Sequence, residues 1–103
     1  MIDPLSNSIL MTKEGIGLAL LEHDDIRQHV IEDIQKTLKN PACIYESNSE
    51  ENTRYYFQFF KSTVFMCIVK KKDDQWYLEN TLFNPPQAQT ELIIAFDKLI
   101  FAK

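Results

Sequence analysis

The chain has 103 residues, of which 45% are hydrophobic and 25% charged, a composition typical of one soluble globular domain. Its two glycines and four prolines are too few for a disordered or fibrous chain. No apolar run approaches the roughly 20 residues of a membrane-spanning helix, and the N-terminus lacks the pattern of a secretory signal. We therefore expect a cytoplasmic domain with no membrane partner.

The formal net charge of −4 is distributed unevenly. Residues 1–52 carry ten acidic and four basic side chains, whereas residues 53–103 carry five acidic and seven basic ones. The segment 53–72 contains five basic residues, no acidic residue and six of the twelve aromatic residues. Because phosphate binding depends on Lys and Arg, a nucleic-acid site is expected in this segment.

The first half of the chain predicts two helices. Residues 8–11 have the composition of a short strand, after which Thr12 can cap a first helix that ends near His23. Asp24 or Asp25 can cap the second helix, which Pro41 ends. The apolar stripe of this second helix consists of Ile26, Val30, Ile34 and Leu38.

The second half predicts four strands rich in aromatic and β-branched residues, joined by short polar turns that favour an antiparallel meander. Residues 84–86 break the last strand, and the apolar spacing in 87–103 predicts a C-terminal helix, with an extended segment at 92–95 as the alternative. The expected strands are Ala42–Glu46, Arg54–Phe60, Thr63–Lys71 and Gln75–Phe83.

The expected fold is therefore α+β, with two N-terminal helices, a four-stranded antiparallel meander sheet and a C-terminal helix. All the helices are expected on one face of the sheet. Residues 1–103 form a single domain in this interpretation.

The sequence predicts neither a cofactor nor a metal site. Cys43 and Cys67 have no CxxC spacing and no neighbouring His, and two glycines leave little material for a phosphate loop. We expect buried reduced thiols, with a disulfide between neighbouring strands as the alternative.

Three local patterns point to a known family. The first, TKEGIGLALLEHDDI at 12–26, is a helix followed by a His and an acidic pair. The second, LKNPACIYES at 38–47, joins a helix end to a strand and is followed by a basic residue before aromatics. The third, FMCIVKKKDDQWYLENTLF at 65–83, places a hydroxyl on its last strand.

In this order and spacing, the patterns resemble the phage-associated branch of the barnase, EndoU, colicin and RelE-like (BECR-fold) nuclease superfamily. The resemblance covers residues 8–83 and leaves 87–103 as an added C-terminal helix. It departs from the family at Leu18, where members often carry an additional His in the first helix.

The resemblance implies a metal-independent ribonuclease or a nuclease-type toxin domain that cleaves RNA by acid/base catalysis. His23 would act as acid or base, Arg54 would hold the phosphate, and Thr81 would donate a hydroxyl hydrogen bond. The expected partners are RNA and a cognate immunity or antitoxin protein. The remaining RNA contacts would come from Lys61, Tyr55 and Tyr56.

Other interpretations remain open at this point. The acidic first half favours a noncatalytic binding protein of the antitoxin or immunity type, which would mask a basic enzyme. The Leu18 departure allows a degenerate nuclease fold that binds RNA without cleaving it. In the simplest interpretation, His23 ends a helix, the strand aromatics form the core, and residues 70–72 are a solvated hairpin end.

Overall fold

The computed structural model describes residues 2–22, 27–60 and 63–103. These residues form three helices and six strands, and none of the described helices is long and apolar enough to cross a membrane. In chain order, the elements are β1 (Ile9–Leu10), α1 (Lys13–Glu22), α2 (Arg27–Lys39), β2 (Cys43–Glu46), β3 (Thr53–Phe60), β4 (Thr63–Lys72), β5 (Gln75–Phe83), α3 (Gln87–Phe96) and β6 (Lys98–Ala102).

The described strands form one mixed sheet in the order β1-β5-β4-β3-β2-β6. The four predicted strands are antiparallel neighbours at its centre. The predicted four-stranded antiparallel meander is nevertheless wrong, because the sheet has a further strand at each edge. On one side β1 runs parallel to β5, with Ile9 opposite Trp76, and on the other β6 runs antiparallel to β2. The chain therefore begins with a strand of the sheet, ahead of the two helices.

The predicted C-terminal helix over 87–103 is also wrong beyond Phe96. Asp97 adopts an extended conformation with φ −92° and ψ 163°, and β6 begins at the next residue. The apolar spacing of residues 98–102 favours a helix, but these residues form a strand because pairing with β2 satisfies the backbone donors and acceptors along the edge of β2. A register shift in this pairing leaves Ile100 as an extra residue on β6.

The sheet is covered by helices on both faces, which corrects the expectation that all helices share one face. On the first face, α2 buries Val30, Ile34 and Leu38 of its predicted stripe, whereas Ile26 lies outside the described residues. On the second face, Ile93 of α3 packs with residues of β3 and β4. Two covers are needed because β4 is buried on both sides: Phe65, Met66 and Cys67 are consecutive and fully buried.

The beginning of α1 is fixed to β5 by a side-chain cap. The backbone N–H of Gly15 donates to Oγ1 of Thr12 at 2.9 Å, which confirms the predicted cap. The Thr12 hydroxyl in turn donates to the backbone carbonyl oxygen of Leu78 at 2.5 Å. This contact brings α1 so close to β5 that little space remains at Gly15.

We predict opposite effects of alanine at the two glycines of α1. At Gly15, an added Cβ would lie 2.7 Å from Cγ and 2.8 Å from the carbonyl carbon of Leu78, so Gly15→Ala forces α1 off the sheet. It should lower the free energy of unfolding by about 1–3 kcal/mol. At Gly17, nothing lies within 4 Å of such a Cβ, and Gly17→Ala should raise stability by about 0.5–1 kcal/mol. Urea denaturation measures both, and equal midpoints for the two variants would contradict this account of the α1 contact.

Candidate functional site

The predicted site residues are divided between the two faces of the sheet. Arg54, Tyr56 and Thr81 lie on the face covered by α1 and α2, whereas Tyr55 packs with the residues under α3. His23 and Lys61 lie outside the described residues. Side chains alternate along β3, with Tyr55 and Phe57 on one face of the sheet and Tyr56 on the other.

Arg54 is a largely buried cation whose side chain is 15% exposed. Its guanidinium carbon lies 4.1 Å from the centroid of the Trp76 ring, which is a cation–π distance. Its Nε lies 3.8 Å from Oε2 of Glu46, close enough for an ion pair. Nε and Nη1 are buried and have no hydrogen-bond partner among the described residues, although Arg54 lies close enough to the Tyr56 hydroxyl to lower the pKa of that hydroxyl. Both donors are thus enclosed by protein, and an acceptor that binds them must displace neighbouring groups.

The N-terminal turn reaches the same region through Asp3. The buried Asp3 carboxylate accepts a hydrogen bond from the Tyr56 hydroxyl through Oδ2, and through Oδ1 it accepts from the backbone N–H groups of Leu5 at 3.0 Å and Asn7 at 2.7 Å. Burial raises the pKa of the Tyr56 hydroxyl. The hydrogen bond to Asp3 and the negative charge of the Asp3 carboxylate raise this pKa further. This carboxylate therefore ties residues 2–8 to β3 immediately beside Arg54.

Thr81 lies in the core, 1% exposed, at the strand position paired with Cys67. Its hydroxyl oxygen is buried without a nitrogen or oxygen partner, and the Cys67 thiol is its neighbour. Burial raises the pKa of that thiol to about 12, and the Thr81 hydroxyl opposes the rise. Cys43 and Cys67 are both free and pack on opposite faces of the sheet, an arrangement that does not suit a disulfide.

The basic segment 53–72 is partly neutralised by acids from neighbouring elements. Nζ of Lys70 lies 2.9 Å from Oε2 of Glu79 and 3.5 Å from Oε2 of Glu50, and the hydrogen bond to Glu79 is the main cause of a raised Lys70 pKa. Nζ of Lys71 lies 3.9 Å from Oδ1 of Asp74. The positive field expected from this segment is therefore weaker than its sequence indicates, and Arg54 adds to this because it is paired with Glu46.

Three partners of Arg54 and Tyr56 were not predicted from the sequence: Asp3, Glu46 and Trp76. The residues 3–7, Asp-Pro-Leu-Ser-Asn, have the composition of a turn in which an Asp side chain bonds nearby backbone N–H groups, and this signal could have identified Asp3. Nothing local predicts Trp76, because it reaches Arg54 across β4. The described residues contain no group of three His, Cys, Asp or Glu side chains that could hold a metal ion.

No family model, curated protein or solved structure matches this chain. The resemblance to the BECR-fold nucleases therefore stays a prediction from local patterns.

We predict that Tyr56→Phe is strongly destabilising, whereas Tyr77→Phe is nearly neutral. The first change removes a buried donor to the Asp3 carboxylate, and hydrogen bonds to charged groups contribute about 1.5–3 kcal/mol. Tyr77 lies on β5 and is only partly buried, so removing its hydroxyl should lower the free energy of unfolding by less than about 0.5 kcal/mol. The stability of the two variants is compared by thermal and urea unfolding. A similar decrease in the free energy of unfolding for both would show that the contact with Asp3 is unimportant.

We predict that the protein loses stability at high pH partly through Cys67. Its thiol has a pKa of about 12 in the folded state against an ordinary value of 9.0, so unfolding releases a proton once the pH exceeds 9. This contribution is fully present below pH 9 and is reduced by about 1.4 kcal/mol at pH 10. The free energy of unfolding is measured with urea under reducing conditions, once well below pH 9 and once at pH 10. It should change less with pH in Cys67→Ala than in Cys43→Ala. Equal pH dependence in the two variants would rule out Cys67 as the source.

Proposed function

We propose that the chain is a small nuclease-type domain that cleaves RNA without a metal ion and binds the scissile phosphate through Arg54. The observation that carries this proposal is the pair of buried Arg54 donors, Nε and Nη1, that make no hydrogen bond among the described residues. A buried donor without a partner costs about 1–3 kcal/mol, so such groups are exceptional and need an explanation. Phosphate oxygens match the planar fork of a guanidinium, and the Trp76 ring holds that fork in place.

The chemistry needs two further functions beside Arg54. A base must take the proton of the 2′-hydroxyl, and an acid must protonate the leaving oxygen. Histidine titrates near neutral pH and suits both functions, and the resemblance assigns them to His23. Arg54 would then stabilise the negative charge that develops on the phosphate in the transition state. An active enzyme of this kind would also need a cognate immunity or antitoxin protein in its host cell.

The fold suggests different functions for the other predicted site residues. Tyr56 donates to Asp3 and Thr81 is buried beside Cys67, so we propose that both support the site from within the core and do not touch RNA. Tyr55 lies on the opposite face from Arg54 and would not stack on a base held there. Lys61 keeps its proposed function as an RNA contact.

The proposal is tested with a fluorescence-quenched RNA oligonucleotide and with total RNA, at neutral pH and with EDTA present. We expect cleavage that EDTA does not affect. His23→Ala and Arg54→Ala should each lose about 100-fold or more in rate, the usual contribution of an acid, a base or a charge-stabilising group. His29→Ala is the matched control, because His29 is the only other histidine, lies on the exposed side of α2 and should be dispensable.

The outcomes separate the competing interpretations. Cleavage that survives both His23→Ala and Arg54→Ala, or that EDTA abolishes, contradicts the proposed mechanism. RNA that is bound but left intact identifies a degenerate nuclease fold. Circular dichroism of each variant distinguishes a lost function from a lost fold.

A further inference from the structure

An apolar groove lies on the face of the sheet opposite α1 and α2, with a volume of about 240 Å³. We call it the α3 groove. Tyr55 of β3 lines it together with Leu92, Ile93 and Phe96 of α3, and Ser49 and Asp97 contribute polar groups. It involves none of the contacts assigned above to Arg54.

The apolar side chains of α3 are mostly left uncovered by the chain itself. Ile93 is the buried residue of this helix, whereas Leu92 is 58% exposed and Phe96 is 68% exposed. Leu99, on the adjoining β6, is also exposed. Grouped exposed apolar residues of this kind are typical of surfaces that bind another molecule.

The charges around the α3 groove are predominantly negative. The carboxylates of Glu50 and Asp97 both act on the Tyr55 hydroxyl, whose pKa is raised chiefly by burial and further by these two charges. Glu91 is the one charged residue of α3. Lys70, which also acts on the Tyr55 hydroxyl, is paired with two acids, Glu50 and Glu79, so these three residues together keep a net negative charge. A ligand that carries positive charge would therefore be complementary to this rim.

The turn between β2 and β3 holds the α3 groove in shape. The backbone N–H of Asn48 donates to Oδ1 of Asp97 at 3.0 Å, and the Asn48 side-chain amide donates to the backbone carbonyl oxygen of Phe96. These two contacts fix the C-terminal end of α3 against the turn. A groove formed before binding lowers the ordering cost that a ligand would otherwise incur.

We propose that the α3 groove docks a basic amphipathic segment of a partner protein. Apolar side chains of that segment cover Leu92 and Phe96, and a Lys or Arg side chain enters between Glu50 and Asp97. Its methylene stem packs on Tyr55 while its charged end meets the two carboxylates. The proposal does not depend on RNA cleavage, because it uses the other face of the sheet.

The test uses a synthetic amphipathic peptide of Leu and Lys, and a counterpart in which Glu replaces every Lys. Fluorescence anisotropy with the full chain should show saturable one-to-one binding of the Lys peptide that weakens in salt. The Glu peptide should bind at least about tenfold less tightly. Amide shifts in nuclear magnetic resonance spectra should concentrate in residues 47–55 and 89–97.

Two matched pairs of variants locate the binding. Leu92→Ser should weaken the Lys peptide about tenfold, whereas Leu10→Ser should not, although Leu10 is 56% exposed and Leu92 58%. Asp97→Asn keeps the oxygen that accepts from Asn48 but removes the charge, and should weaken binding. Asp73→Asn, at the turn between β4 and β5, changes the net charge equally and should not.

Three results would overturn the proposal. The first is equal weakening within either matched pair, since that would indicate unspecific attraction to an acidic surface. The second is equal binding of the Glu peptide. The third is self-association of the chain that Leu92→Ser abolishes, because a second copy would then be the occupant of the groove.

Discussion

Strand β4 is apolar on both of its faces, and the architecture depends on covering both. Successive side chains of a strand point to opposite faces, yet Phe65, Met66 and Cys67 are all fully buried. Burial of apolar surface contributes about 25 cal/mol per Å², so neither face can be left in water without a large loss. Helices α1 and α2 meet this requirement on one side. The chain must therefore return after β5 to supply α3 for the other.

The two covers differ in completeness, and the difference determines where further interactions can occur. Helix α2 contributes a stripe of three fully buried residues, and the Thr12 cap and the Asp3 carboxylate close the same side with hydrogen bonds to β5 and β3. Helix α3 buries only Ile93 among its described side chains. The first face is thus a closed core with polar groups at one end, and the second remains apolar towards solvent.

Local signals explain what could be predicted from the sequence. The Thr12 cap, the α2 stripe and the four central strands depend on residues close together in the chain, and the predicted 75–83 strand has the observed bounds. The composition of residues 8–11 predicted a short strand, and β1 lies there, but neither its parallel pairing with β5 nor strand β6 could be predicted in this way. β1 has two residues and gains its hydrogen bonds from β5, about 65 residues away, while the apolar spacing of β6 continues that of α3.

The same distinction applies to the candidate site. The basic residue before a run of aromatics drew attention to Arg54, but only the sheet brings Trp76 and Glu46 to its guanidinium. The sequence also indicated five cations without acids in 53–72, whereas the fold pairs Lys70 and Lys71 with carboxylates. Charge along a chain thus predicts a surface potential poorly where neighbouring strands carry opposite charges.

Arg54 and Tyr55 are adjacent in β3 but serve opposite faces, so the two proposed sites share a strand without sharing a surface. A molecule in the α3 groove would not cover the Arg54 guanidinium. Coupling between the sites would require a second arrangement of β3, since allostery needs two states that the ligands bind differently. β3 is paired along its length with β4 and also with β2, and the Asp3 contact holds its Tyr56. Close packing makes such a strand hard to displace, so the two proposed binding events would be energetically independent in this fold.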